Sequence, residues 1–538
     1  MGHSGKLELT WVGKYEEKAV EPRILVEDKS KSYGDPTSEN MLIHGDNLIA
    51  LQALQQDFVG KIKCLYIDPP FNTGQAFEHY EDGLEHSIWL SMMRDRLILL
   101  RELLSDDGTI FVHIDDNELP YLIALMDEIY GRNNRISVIT FKQASATGHK
   151  AINPGIVSVT NFIIIYAKNK TQWHPNHIYT NRGSRDKRYG NYIFNVEAPC
   201  SEWEITTLIE AYARLENINI QDARKVIKQE PKKMDDFVIS HCESVIQFVN
   251  PDYKNVGAET RRYIDRSRNE PSKIFIQKRE GLSDIILLGG KRIIFYKNKL
   301  KKIDGVYVTG EPLTSLWDDI LSNNIHNEGG VDFPKGKKPE ALIKRCIELS
   351  TNEGDYVADS FLGSGTTAAV AHKMHRKWIG VELGNHAYTH CKVRMDKVVD
   401  GEQGGISKAV DWHGGGGYHF YELAPSLLVK NDKISVYQVN PEYTFEMMCE
   451  AICKLEGFRY QPDGNIHGRS SENRFIHITT EFVNAEYIMS VATTLGEEQS
   501  LLIYGLKIQS DLRLPDNIEV KKIPKDLLEK CDFESEVR

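Results

Sequence analysis

The 538-residue chain has no apolar run approaching the ~20 residues that a membrane span needs; Phe162 to Tyr166 is typical of its longest. Its first residues lack a signal peptide's apolar core, so a cytoplasmic setting without membrane contact is expected. The eight cysteines form no CxxC pair, and the closest two, Cys449 and Cys453, lie one helical turn apart. That excludes a disulfide framework or a metal knuckle as an organising principle, and no metal is expected. GxxxxGK[ST], PD-x[DE]xK and internal repeats are also missing, so helicase or nuclease chemistry would require another chain. What is present is 41% apolar and 27% charged, enough for two to four domains with buried cores.

Positive charge is scarce overall, with a net of -11, yet it is unevenly spread. Lys168 to Asp304 holds 26 basic against 18 acidic residues, a net of +8, leaving -19 elsewhere; Gly417 to Arg538 carries 13 against 20. A basic middle in an acidic chain suits a segment that meets phosphates, although a solvated charged surface gives the same count.

Residues 1–40 are polar and read as an N-terminal arm. From Met41 strands alternate with helices: Leu42–His44, a GDN turn into a helix, the buried strand KCLYID (63–68), a helix over 87–104, a strand over 109–114 and a helix from Leu119 ended by Gly131. This rhythm predicts a mostly parallel α/β sheet. After a strand at 160–167 it breaks into an irregular basic stretch, then resumes near Leu316 with a helix at 341–350, a strand at 356–361, a helix at 366–375 and a strand at 378–382. The expected division is an arm (1–40), a first core segment (41–169), an insert (170–310), a second core segment (311–412), and a glycine linker with an acidic α+β domain (413–538).

Two motifs carry chemistry. Asp359-Ser360-Phe361-Leu362-Gly363-Ser364-Gly365-Thr366 reads as a strand, a glycine turn and a helix start, with Glu382 ending the next strand 17 residues after Gly365. Glycines let the backbone approach a ligand, and a carboxylate there suits a ribose diol, so an adenosine-containing ligand is expected. Asp68-Pro69-Pro70-Phe71 stands where a central strand stops. Prolines remove donors and leave carbonyls to accept, Asp68 adds a carboxylate and Phe71 a flat face. This suits an aromatic amine on a base that has left its duplex. Each motif alone can equally be a structural turn. Ligands of such sheets bind outside the strands' carboxyl ends, so the two are expected to share one crevice.

These residues resemble the amino-methyltransferases of DNA, in the class where DPP[YF] precedes FxGxG and a target-recognition domain lies between. WVGK (11–14), HGDNL (44–48), YIDPPFNTG (66–74), EHSIWLSMMRDRL and DDGTIFVHIDDNE are closer to the modification (Mod) subunits of type III restriction systems. The resemblance implies a Rossmann-like methyltransferase core in two segments. Asp68, Pro69, Pro70 and Phe71 would orient a flipped adenine. Asp46, Asp359, Phe361, Gly363, Ser364, Gly365, Thr366 and Glu382 would hold S-adenosylmethionine, with Lys338-Pro339 closing over its methionine end. The family more often has tyrosine at Phe71 and a shorter PKP at PKGKKP.

The implied activity is methyl transfer from S-adenosylmethionine to adenine N6 without a covalent intermediate. Alternatives are cytosine N4 methylation by a stand-alone enzyme and a non-catalytic DNA-recognition subunit. Double-stranded DNA, a second copy in a homodimer and a restriction (helicase-nuclease) subunit are the implied partners. Arg182, Arg185, Lys187, Arg188, Arg261 and Arg262 of the insert are candidate DNA contacts.

Overall fold

The computed structural model describes residues 8–16, 20–72, 85–144, 155–303, 305–320, 325–333, 336–431, 436–470, 473–493, 495–496, 498–531 and 533. The chain forms two compact units, Met1–Asn176 with Ser315–Arg538, and His177–Thr314.

In the larger unit the first elements are β1 (Leu25–Glu27), β2 (Tyr33–Gly34), β3 (Met41–His44), α1 (Asn47–Phe58), β4 (Ile62–Ile67), α2 (His86–Leu103), β5 (Leu104–Ile114), α3 (Leu119–Met126), β6 (Arg135–Lys142) and β7 (Thr160–Ala167). The inserted unit holds β8 (Tyr179–Asn181), β9 (Asn191–Phe194), β10 (Glu204–Thr207), α4 (Leu208–Leu215), α5 (Ile220–Gln229), α6 (Pro231–Ser240), β11 (Val245–Val249), α7 (Ala258–Asn269), β12 (Ile274–Gln277), β13 (Ile285–Leu288), β14 (Lys291–Phe295), β15 (Leu300–Ile303) and β16 (Val306–Pro312). The larger unit resumes with β17 (Leu316–Trp317), α8 (Glu340–Ser350), β18 (Tyr356–Asp359), α9 (Thr366–Lys373), β19 (Lys377–Glu382), α10 (Val393–Val399) and β20 (Gly417–Leu423). It ends with β21 (Leu428–Lys430), β22 (Tyr437–Val439), α11 (Phe445–Leu455), β23 (Arg459–Asp463), β24 (Ile466–Arg469), β25 (Arg474–Val483), α12 (Ala485–Ala492), β26 (Ser500–Ile508) and β27 (Ile518–Lys522).

The main sheet runs β1-β20-β3-β19-β18-β4-β5-β7-β6-β17 and is parallel through its centre, from β20 to β5. β7 runs antiparallel to both neighbours, and β1 antiparallel to β20. The parallel centre is what the strand-helix rhythm predicts, and the mixed, mostly parallel sheet is the Rossmann-like core that the resemblance implies. Alternation also decides the helices: α2 buries Trp89, Leu90, Met93, Leu97 and Leu100 along one face, against Leu65, Ile67, Ile110 and Val112 of the sheet.

Two expectations about the ends need correcting. The arm contributes strands β1 and β2 to the sheet edge, and Ile24 is buried in the C-terminal core beside Leu427 and Ile452. The glycines 414–416 do not form a free linker. Gly415 donates to the carbonyl of Val399, Gly416 accepts from Asp35, and a Cβ on Gly416 would stand 2.9 Å from the His372 ring. Close packing is what requires glycine there, and Gly417 opens β20, which pairs with β3.

The inserted unit is ordered where the sequence looked irregular. Six antiparallel strands, β10-β9-β11-β14-β13-β12, are joined by a core of Tyr192, Leu208, Tyr212, Phe237 and Val245 that also takes in helices α4 to α6.

Candidate functional site

β4 and β18 are neighbours, Leu65 opposite Ala358, and their connections leave in opposite directions: β4 through α2 to β5, β18 through α9 to β19. This is the switch point of the sheet, the place beyond the strands' carboxyl ends where sheets of this kind bind their ligands. Asp68 follows β4 and Asp359 ends β18, so the two motifs, some 290 residues apart in the chain, stand at adjacent strand ends. They sense each other: burial raises the Asp359 carboxyl to about 7, and the charges of Asp68 and Glu382 add to that rise.

Around Asp68 the two oxygens differ. Oδ2 takes the ammonium of Lys338 at 2.6 Å. Oδ1 is buried and accepts no hydrogen bond among the described residues. Burial raises the Asp68 carboxyl, and Lys338 opposes this. Next to it Pro69 is buried, while the carbonyl of Pro70 accepts from the indole of Trp89 at 2.9 Å. The lip therefore keeps fewer free carbonyls than a reading of two prolines suggests. Phe71 is half-buried against the side of the core to which Phe361 also packs. Asn72 has φ +58° and donates to Glu118 at 2.8 Å; His86 meets the same oxygen at 3.0 Å. Thr73 and Gly74 lie outside the described residues.

Behind Phe71 stands His113, fully buried on β5, its ring 5.6 Å from Phe71 and 5.9 Å from Phe141. Its Nδ1 is 2.9 Å from the Tyr66 hydroxyl and 4.0 Å from Asp68 Oδ1, and its Nε2 is 3.2 Å from the Asn161 amide. Burial holds this histidine well below its ordinary pKa, so it is neutral.

The glycine turn is built by its own carboxylates. Asp359 accepts from the Phe361 amide at 2.9 Å and the Thr367 hydroxyl at 2.6 Å. Glu382 accepts from the Gly363 amide at 2.6 Å and the Gly384 amide at 3.0 Å, and pairs with His386 at 2.7 Å. Gly365 caps α9 at φ +80°. Gly363 has φ +57°, and nothing lies within 4 Å of where its Cβ would be, so its backbone faces open space. Ser364 and Thr366 are buried, with the Arg394 guanidinium on the Thr366 hydroxyl at 2.8 Å. Arg394 also holds Glu340, as does Lys373, and all three are fully buried.

Asp46 caps α1 through the Leu48 and Ile49 amides and pairs with Arg96 at 3.2 Å. Its neighbour Asn47 donates to the carbonyl of Ser360 at 2.7 Å, which ties the GDN turn to the glycine turn. Lys338, expected over a cofactor, stands on Asp68, and Pro339 is the N-cap residue of α8. Sequence reasoning missed Trp89, His113, Arg96 and Asn47, which act through long-range partners that no local pattern announces.

In the inserted unit, four of the six candidate DNA contacts are engaged locally. Arg182 and Arg188 converge on buried Asp186, which Arg188 holds down to about 2, and Arg185 lies 3.6 Å from Asp235. Arg261 donates to the Lys254 carbonyl; Lys187 and Arg262 are exposed.

A model of the DNA methylase family matches residues 62–392, which includes both motifs. The chain belongs to the DNA methylase family. Among curated proteins it is similar to the probable type III restriction-modification enzyme HindVI Mod subunit of Haemophilus influenzae, 36% identical over 458 residues, 79% of this chain and 59% of the relative. It is 29% identical over 354 residues to the type II methyltransferase M.EcaI of Enterobacter cloacae, 64% of this chain and 66% of that one. The methylase chain thus spans about three fifths to two thirds of the length of these relatives. A solved structure, the PvuII DNA methyltransferase (cytosine-N4-specific), covers 68% of this chain at 14% identity with a TM-score of 0.31.

Proposed function

We propose that this methylase transfers a methyl group from S-adenosylmethionine to the N6 amine of an adenine turned out of double-stranded DNA, as the modification subunit of a type III-like restriction system. The observation that carries this reading is the buried, unpartnered Oδ1 of Asp68 at the strand end beside the glycine turn. A buried acceptor without a donor costs on the order of 1–3 kcal/mol, and an amine N–H removes that cost.

S-adenosylmethionine supplies an electrophilic methyl on a sulfonium, and the residues present fit it: Gly363 leaves its backbone open, and Asp359 and Glu382 fix the turn around it. Phe361 and Gly365 complete that turn, and Asp46 would lie near the adenine ring of the ligand through the Asn47–Ser360 tie.

The chain's own work is done at the nitrogen. An aryl amine is a poor nucleophile because its lone pair is shared with the ring. Asp68 Oδ1 and the carbonyl of Pro69 accept its two N–H groups and turn the lone pair outward, stabilising the positive charge that develops there. Phe71 stacks on the base for about 1–3 kcal/mol, and its lack of the usual hydroxyl leaves that face intact. Aspartate at the start of the motif favours adenine over cytosine. The inserted unit, with Lys187 and Arg262 exposed, would contact DNA. A restriction subunit and a second copy of this chain are the further partners in this reading.

Long-read sequencing of DNA from a host expressing this chain tests it. The expected result is N6-methyladenine at one sequence motif; unmodified DNA, or methylation confined to cytosine, overturns the reading.

A further inference from the structure

The site proposed above contains a cation that the chemistry of methyl transfer does not require. Lys338 puts its Nζ 2.6 Å from Asp68 Oδ2 and over the Phe71 ring, 4.9 Å from its centroid. Those are the two features, a carboxylate acceptor and an aromatic face, that an extruded base would use.

We propose that Lys338 is a displaceable stand-in for the target amine, holding the Asp68 carboxylate and covering Phe71 until a base pushes it aside. The inference rests on the methyltransferase reading and deepens it.

The backbone beneath Lys338 is anchored. Pro339 and Glu340 start α8, and Glu340 is fixed by Arg394 and Lys373 in the interior. The preceding Lys337 is turned away, its ammonium on the carbonyl of Val331 at 2.7 Å. A lysine arm of four methylenes can leave a carboxylate without moving its helix.

The remaining groups around Asp68 cannot replace it. His113 on β5 is neutral, Tyr66 on β4 is a buried phenol bonded to His113, and Asp359 on β18 is of like charge. Among the described residues Lys338 is therefore the fixed cation facing Asp68. Without it, a buried carboxyl beside another acid takes up a proton more readily, and a protonated oxygen no longer accepts from the amine.

The test is the methylation kinetics of Lys338→Met against pH, on DNA carrying the motif found by sequencing. Two changes are expected. At alkaline pH the Michaelis constant for DNA falls several-fold, because no ammonium need be displaced. The acid limb of the profile moves up by about one pH unit or more, and Lys338→Arg restores it. Lys338→Gln, close in length and uncharged, serves if the methionine variant fails to fold.

An unchanged Michaelis constant and acid limb overturn the proposal. So does a raised Michaelis constant with an unchanged acid limb, which marks a phosphate contact, and so does loss of S-adenosylmethionine binding in calorimetry, which marks a cofactor contact. A wild-type chain that methylates no DNA instead overturns the reading of the site, before any variant is compared.

Discussion

The indole N–H of Trp89 reaches 2.9 Å to the carbonyl of Pro70, from a position fully buried on α2. It makes the lip after β4 a fixed edge: one of the two proline carbonyls is held by the helix, and Asp68 Oδ1 is left without a hydrogen bond among the described residues. Replacing Trp89 by phenylalanine removes this hydrogen bond and some volume. The expected outcome is a loss of about 1–2 kcal/mol in chemical denaturation and a kcat for methylation reduced about tenfold or more, since small misplacements at a reacting centre are costly.

Asp359 gives the fold a pH dependence with a definite sign. Its folded pKa of about 7 lies above the ordinary 3.8, so between these values the folded state binds more protons than the unfolded state. Its contribution is therefore favourable at low pH and declines as pH rises from about 4 to 7. The full shift is worth on the order of 4 kcal/mol. Asp359→Asn, neutral throughout and able to accept from the Phe361 amide, should flatten that slope. Thermal melting of both proteins at pH 5 and pH 8 checks this: the variant gains relative to the wild type at pH 8.

Glu340 lies between Lys373 and Arg394 with all three side chains fully buried. Glu340→Ala leaves Lys373 with Glu402 and strips the carboxylate from Arg394. Breaking a buried pair by removing one partner costs about 3–5 kcal/mol, and denaturation of the variant should read a loss of that size. Because Arg394 also holds Thr366, weaker S-adenosylmethionine binding in calorimetry should accompany it.

Both chemical motifs were legible because each is a strand end with unusual backbone, and strand ends can be read from hydrophobic runs broken by proline or glycine. DPPF and FLGSG accordingly stand at neighbouring strands, and the helices after Ser87 and Thr366 lie within a residue or two of expectation. What stayed hidden depends on partners distant in sequence. Leu25–Glu27 is too short to announce a strand, and becomes one by pairing with β20. His113 looks like any residue of a buried strand until Tyr66, Asn161 and Phe71 surround it. Arg182 and Arg188 read as phosphate contacts from charge alone, whereas each is also an ion-pair partner of buried Asp186.

The most direct measurement compares wild type and Asp68→Ala for two quantities in parallel, S-adenosylmethionine binding by calorimetry and methyl transfer to DNA. With an amine seated on Asp68 and the cofactor held separately by the glycine turn, the variant should bind S-adenosylmethionine within a few-fold of wild type and transfer no detectable methyl. Retained turnover in the variant, or loss of cofactor binding together with activity, would contradict the role given to Asp68.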